Sequence, residues 1–344
     1  MTAIGNKPPR PTAARDILVI GGSTGALDPM IQLASALPEN YPGFLFIVSH
    51  IGANPSHLPE LLARASRLPA AHARHDEPLE PGRIYVAPPD RHMLVTERRV
   101  LLSAQPREHF TRPAIDPLFR SAARAFGDRV VGIVLSGSGS DGALGLQAVQ
   151  RAGGITVVQD PSDAISRQMP EAALRAVAAD YVVDATALAA LIPGLEQAVA
   201  TAPPKPAVEV RSGEDLSTPV ALTCPECGGA VREVVGGELL SYACHTGHRF
   251  SADELLAHQR NDVERAVMVA IRVLQERVAL CRRMGSDAAR GGRHHGVAYW
   301  QRVAREAEDQ LNVLQQFQRS PEAGTAAHDG DAHPAALPVP EPAK

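Results

Sequence analysis

Three side chains of this sequence have the types that acyl-transfer chemistry needs: Ser23 in GGSTGA, His50 in SHIG and Asp141 in SGSGSDGA. A serine hydroxyl is a weak nucleophile until a base takes its proton, and histidine titrates in the range suited to that exchange. A carboxylate can then fix the imidazole tautomer. Each residue alone has a plainer reading. The Gly-rich turn also fits a tight structural turn or an anion cradle at a helix start. However, GGSTGA lacks the dinucleotide-binding spacing, and no Gly-Lys-Ser/Thr follows as in a P-loop. A histidine after a strand is commonly structural, and an aspartate before a helix is commonly a cap. A second group of residues suits a metal. CPEC places Cys224 and Cys227 on one knuckle, and CHTGH places Cys244 and His248 on another. Thiolates with an imidazole suit tetrahedral Zn²⁺. His245 is the alternative fourth ligand, and a redox-active CxxC is the rival reading.

Ser23, His50 and Asp141 each follow a short apolar run. DILVI (16–20), FLFIVS (44–49), RIYVAP (83–88), VVGIVL (130–135), ITVVQ (155–159) and YVVD (181–184) read as strands. Such Val/Ile-rich runs with little alternation suit strands buried on both faces of a parallel sheet. Helical stretches are expected at 27–37, 57–67, 115–126, 143–152 and 186–198. MLVTERRVLLS (93–103) reads as a hairpin added to the sheet. The expected fold is α/β, a doubly wound, mainly parallel, Rossmann-like sheet with that added hairpin. In such a sheet the loops at the carboxyl ends meet at one edge, so residues far apart in sequence can converge there.

The expected organisation is a disordered segment at 1–15, a catalytic domain at 16–200 and a Pro-rich linker at 201–220. A zinc-ribbon-like module at 221–250, a helical hairpin at 251–319 and a disordered tail at 320–344 follow. Metal would supply folding free energy to a segment too small to bury much core. In the first long helix Leu256, Val263, Val267, Ala270, Leu274 and Val278 form an apolar stripe, with Cys281 on the same face. A flexible turn is expected at 285–296. All four cysteines lie after residue 220, which fits a reducing cytoplasm better than a disulfide scaffold. A net charge of -4 gives no nucleic-acid footprint. The polar N-terminus carries no secretory h-region, and no apolar stretch reaches membrane-span length.

Residues 16–195 resemble the catalytic domain of the bacterial chemotaxis receptor methylesterases, the CheB family. IGGSTGA, Ser49-His50, GRIYVAPPDRHM (82–93), TRPAIDPLFRSAA (111–123), VGIVLSGSGSDGALG (131–145) and Met169-Pro170 carry the resemblance, in the family's order. It implies Ser23 as nucleophile, His50 as general base and acid, and Asp141 as the carboxylate that orients the histidine. It also implies a glutamyl methyl ester on a receptor's cytoplasmic segment as substrate, a soluble cytoplasmic location and no cofactor for catalysis. The same chemistry would deamidate a receptor glutamine. A structural Zn²⁺ is expected in the added module, and the C-terminal helices are a candidate surface for a signalling partner. Neither nucleic-acid binding nor membrane insertion is expected.

The sequence departs from the family in three places. The family usually has Ala-Ser-Thr-Gly-Gly where this chain has Gly22-Ser23-Thr24-Gly25-Ala26. Ser138 replaces a methionine that helps line the pocket. Only about 15 residues precede the first strand, where typical members carry a phosphoacceptor receiver domain, so activity without a phosphodonor is expected. A serine hydrolase serving another signalling protein and a catalytically silent zinc-containing scaffold are the alternative readings. Arg112 could meet an acidic receptor surface or form an internal salt bridge, and His92 could shape the pocket mouth or simply pack.

Overall fold

The computed structural model describes residues 15–195, 216–234 and 240–319. The expected N-terminal disorder, most of the linker and the tail lie outside the described residues. The chain divides into two compact units between Leu256 and Ala257.

The first unit is built on seven parallel strands. These are β1 (Ile17–Gly22), β2 (Phe44–Ser49), β3 (Ala70–His72), β4 (Arg83–Val86), β7 (Val130–Val134), β8 (Ile155–Gln159) and β9 (Tyr181–Val183), in the order β3-β4-β2-β1-β7-β8-β9. Every residue of β1 is buried, as expected for a strand covered on both faces. Its side chains alternate between two cores. Ile17 and Val19 face one core, with residues of α3 (Ile115–Phe126), α4 (Ala143–Arg151) and α5 (Gln168–Ala176). Leu18 and Ile20 face the other, with α1 (Leu27–Ala36), α2 (Leu58–Ala65) and α6 (Ala185–Leu195). The fold is therefore the doubly wound α/β sandwich read from the sequence.

Several details differ from the sequence reading. The hairpin of β5 (His92–Val95) and β6 (Val100–Ser103) forms its own antiparallel sheet rather than extending the large one. Ser121 Oγ on α3 accepts the Val95 N–H at 3.1 Å and helps tie the hairpin down. Helix α5 escapes sequence reading because Met169-Pro170 looks like a break. The proline sits in the first turn, where its missing N–H costs nothing.

The small hairpin that the sequence suggests between the cysteine knuckles is present as an antiparallel pair, widened by a strand on either side. The structure has a four-stranded antiparallel ribbon: β10 (Leu216–Thr223), β11 (Ala230–Val234), β12 (Ser241–Cys244) and β13 (Arg249–Ser251). Strand β10 begins inside the expected linker, because pairing with β11 orders residues whose composition looks loop-like.

Two helices complete the described residues, α7 (Ala252–Arg290) and α8 (His294–Arg319). Cys281 is buried in the second unit with Val303 and Ala304, against Trp300. Helix α7 runs to Arg290, so the expected turn at 285–296 shrinks to three residues. Gly285 is buried beside Trp300, and that packing keeps the helix going through a residue that weakens helices. Only part of the expected stripe is covered. Val278 is buried, but Leu256 and Val263 are more than half exposed. Gln318, at the end of α8, meets Met268 at 3.1 Å, so α8 ends short of Val263. No described helix is long and apolar enough to cross a membrane.

Candidate active site and cysteine cluster

Backbone register sets the first two positions of the site. Strands β1 and β2 pair in parallel with Gly22 opposite Ser49. Ser23 and His50 are the next residue on each strand, so they leave the same sheet edge side by side. On its other side β1 pairs with β7, and the Ser23 N–H donates to Ser136 O at 2.9 Å in the loop after β7. The chain reverses direction across β1, which makes this edge the switch-point crevice of an open α/β sheet. Asp141 lies in the same β7–α4 loop, and its Oδ2 is 2.7 Å from His50 Nε2.

Close backbone packing shapes both loops. Gly25 has φ +83, and a Cβ there would strike Ile165 and Ser136. At Gly137 a Cβ would collide with Met169 Sδ and lie 3.0 Å from Ser23 Cβ, so the two loops touch beside Ser23. The exchange at Gly22 and Ala26 also has a steric reason. A Cβ on Gly22 would collide with the Ala26 methyl. One methyl fits there, and this chain carries it on residue 26 instead of residue 22. Ser138 is exposed, and its hydroxyl lies 3.2 Å from that of Ser166.

The environment of Asp141 keeps it ionised. Its Oδ2 also accepts the Ile115 N–H at 2.6 Å, and Oδ1 accepts the Asp116 N–H at 3.0 Å. Asp116 Oδ1 in turn accepts the N–H groups of Gly142 and Gly145 at 3.0 and 2.6 Å. The starts of α3 and α4 thus each hold a carboxylate that precedes or opens the other helix, where helix dipoles favour negative charge. Burial disfavours the Asp141 charge. The nearby His109 charge and the hydrogen bonds from His50 and Ile115 outweigh it and hold the carboxyl well below its usual range.

His109, Asp116 and Glu254 are the residues that sequence reading missed. His109 is buried between Asp116 and Glu254. Burial opposes its charge, but Glu254 and Asp141 raise it well above the ordinary imidazole value. Asp116 had a signal, since it closes the TRPAID motif. Ser251-Ala252-Asp253-Glu254 has the spacing of a helix capping box. Nothing in the sequence marks His109. Glu108, His109 and Asp116 also lie close enough to suggest a metal site. Arg120 instead holds both Glu108 oxygens at 2.7 and 2.8 Å, and both His109 nitrogens face carboxylates, so the group reads as an ion-pair network.

The remaining candidates have internal roles. Arg112 grips Asp90 Oδ1 through Nε and Nη2 at 2.9 and 2.7 Å, and its Nη1 donates to Ala104 and Gln105 carbonyls. His92 is buried, with Nδ1 accepting the Ala114 N–H and Nε2 donating to Pro106 O.

The ribbon gathers Cys224, Cys227, Cys244 and His248, with donor atoms within 4.8 Å of one another. Cys227 and Cys244 sulfurs are 3.7 Å apart, and His248 Nδ1 lies 3.7 Å from Cys224 and 3.4 Å from Cys244. Tetrahedral Zn²⁺, with bonds of about 2.3 Å to sulfur and about 2.0 Å to nitrogen, spaces its donors roughly 3.5–3.8 Å apart. The donor set and its spacing therefore fit a structural zinc ion. His245 is exposed and lies over Gly229, outside this group. Burial works against the Cys244 thiolate, yet hydrogen bonds from Thr246 and His248 bring its pKa down to about 6. Burial pushes the neighbouring Cys224 thiol the other way, up to about 12.

Known proteins match the same part of the chain. The family model for the CheB methylesterases covers residues 18–192. A putative protein-glutamate methylesterase/protein-glutamine glutaminase from Leptospira interrogans is 35% identical over 184 residues, which is 53% of this chain and 95% of that protein. A protein-glutamate methylesterase/protein-glutamine glutaminase from Anaeromyxobacter dehalogenans is 38% identical over 176 residues, 51% of this chain and 52% of that protein. Among solved structures, the Thermotoga maritima CheB methylesterase catalytic domain matches with 28% identity and a TM-score of 0.48, covering 51% of this chain and 98% of that one. With a match across half its length to the model built for that family, the chain belongs to the CheB methylesterase family.

Proposed function

We propose that this protein hydrolyses glutamyl methyl esters on the cytoplasmic segments of methyl-accepting receptors, using Ser23, His50 and Asp141. The observation that carries this reading is the 2.7 Å contact of His50 with ionised Asp141, one residue beyond the β1–β2 register that sets Ser23 beside His50. Family membership supports the reaction class. His50 donates its Nε2–H to Asp141, which leaves Nδ1 as the acceptor. Nδ1 takes the Ser23 proton as the hydroxyl attacks the ester carbonyl, and the resulting imidazolium passes that proton to departing methanol. Water, activated by the same nitrogen, then attacks the glutamyl–serine ester and releases glutamate. With a glutamine substrate, ammonia leaves instead. The N–H groups of Ser23, Gly137 and Gly139 are already engaged. Those of Thr24 and Ser138 are the donors we assign to the oxyanion.

The 16–200 segment is the catalytic domain in this reading, and it acts in the cytoplasm, where receptor segments are exposed. Zn²⁺ held by Cys224, Cys227, Cys244 and His248 supplies folding free energy to the 221–250 module and takes no part in the reaction. The test is methanol release from a methylated receptor segment, together with fluorophosphonate labelling. We expect label on Ser23, and a loss on the order of 10³-fold or more in Ser23→Ala and His50→Ala with folding retained. Wild-type turnover by Ser23→Ala would overturn the assignment.

A further inference from the structure

His109 connects the back of Asp141 to a residue that follows the cysteine ribbon. Its Nδ1 lies 2.8 and 2.7 Å from the two oxygens of Glu254, and its Nε2 lies 2.8 Å from Asp116 Oδ2. Burial raises the Asp116 carboxyl, while its hydrogen bond and charge contact with His109 work to hold it down. With Asp116 and Glu254 both ionised, each only accepts hydrogen bonds, so both ring nitrogens donate and the ring is an imidazolium. The same Nε2 is 3.7 Å from Asp141 Oδ1, opposite the oxygen that His50 engages. The side chains of His109, Asp116 and Asp141 are no more than 2% exposed. Without His109 as a cation, two buried carboxylates would face each other with little help from water.

Glu254 belongs to the first turn of α7, directly after β13. A reciprocal capping box fixes it: Ser251 Oγ accepts the Glu254 N–H at 3.2 Å, and Glu254 Oε2 accepts the Ser251 N–H at 3.0 Å. Ser251 Oγ also lies 2.8 Å from Ser140 Oγ, next to Asp141. Strand β13 holds the loop that carries His109. Arg249 O accepts the His109 N–H at 3.0 Å, and the Phe250 ring lies 4.8 Å from that of Phe110. His109 and Phe110 have φ of 52° and 61°, a left-handed backbone that bulky residues seldom adopt without support.

We propose that Glu254 is a positioning residue of the esterase, delivered by the C-terminal module, which holds His109 as the cation that fixes Asp141 behind His50. This rests on the Ser23–His50–Asp141 reading of the site. The ribbon is then a structural part of the active site, and its folding sets the geometry of Asp141.

Facing His109 are Glu254 from α7, Asp116 from α3 and Asp141 from the β7–α4 loop. One step further lie the Glu108–Arg120 pair, Arg249 of β13 and, across Asp141, His50. The sign of the pH effect follows from this arrangement. Because the folded protein raises His109, the stabilisation it gives is complete below the ordinary imidazole pKa of about 6.5 and is lost as pH rises through the folded value. Removing the Glu254 charge lowers that folded value and moves the loss to lower pH.

The experiment uses the full chain. Histidine ¹⁵N NMR reads the protonation of His109, and pH–rate profiles for receptor demethylation are compared for wild type, Glu254→Gln, Glu254→Asp and Ser251→Ala. We expect His109 to be doubly protonated at pH 8 in wild type and neutral in Glu254→Gln. The rate of Glu254→Gln relative to wild type should fall on the order of tenfold between pH 6 and pH 8.5. Glu254→Asp should restore the profile. Ser251→Ala, which removes the cap and leaves the charge, should keep the wild-type pH dependence. A neutral His109 in wild type at pH 8, or a wild-type profile in Glu254→Gln, overturns the proposal whether or not every variant folds. If Ser23→Ala keeps full turnover, the reading of the site itself fails, and the proposal fails with it.

Discussion

The parallel sheet and the cysteine ribbon are held together by different means. The sheet packs two apolar clusters, one on each face, with Phe46, Phe119, Leu33 and Leu45 fully buried. The ribbon's buried cluster consists of Val231, Phe250 and Leu255 with Cys224 and Cys244, two of the four residues whose spacing fits a zinc ion. Burial of apolar area can stabilise the first without assistance. The second has little such area; it keeps contacts such as Phe250 with Phe110, and its four donors are spaced to fit a structural metal ion. The difference teaches what a small extension of a large fold requires: the sheet has volume to bury, whereas the ribbon, with little, carries a donor set that a metal ion would bind together.

The largest effect should come from removing metal. Purified protein should hold one Zn²⁺ per chain, and Cys224→Ser/Cys227→Ser should lose it. Structural zinc sites are worth about 10–16 kcal/mol of apparent binding energy, so the ribbon should melt. Limited proteolysis should then cut within 216–251 while the sheet's unfolding transition survives. Retention of zinc by the double variant, or collapse of both regions together, would break the comparison.

Phe46→Ala should give the opposite result. Phe46 is fully buried and its ring centroid lies 5.3 Å from that of Tyr85. The cavity should cost about 3–5 kcal/mol, read by denaturant unfolding, with zinc content unchanged. A loss of zinc in this variant would mean that the ribbon cannot fold without a fully stable sheet.

The smallest effect sharpens the comparison at the edge of the sheet. Gly22→Ala alone should crowd Ala26 and destabilise the protein by about 1–3 kcal/mol. Gly22→Ala/Ala26→Gly moves the methyl back and should recover most of that loss. Two additive penalties in thermal melts would show that the pair does not share one space.

Much of the site was legible in the sequence because strand ends are legible. Buried parallel strands are continuous Val/Ile runs, and the loop after each run must emerge at the sheet edge, which is why Ser23, His50 and Asp141 could be proposed together. The knuckle spacing of Cys224, Cys227, Cys244 and His248 was legible for a similar reason, since ligand type and short-range spacing are local properties. Helix α5 was not, because Met169-Pro170 resembles a break and only its position in the first turn makes it harmless. The turn at Gly285 was misread because tertiary packing beside Trp300 outweighs local helix propensity.

The sequence by itself determined the doubly wound sheet, the edge on which its polar loops gather and the residue types and local spacing of the two residue sets. Periodicity and residue type act locally, and they leave a trace in one dimension. Only the tertiary structure decided that His109 stands between Asp116 and Glu254, 145 residues away in the case of Glu254, and 3.7 Å from Asp141. Charge pairing in a buried site depends on distance in space and on the exclusion of water. Neither quantity is carried by spacing along the chain.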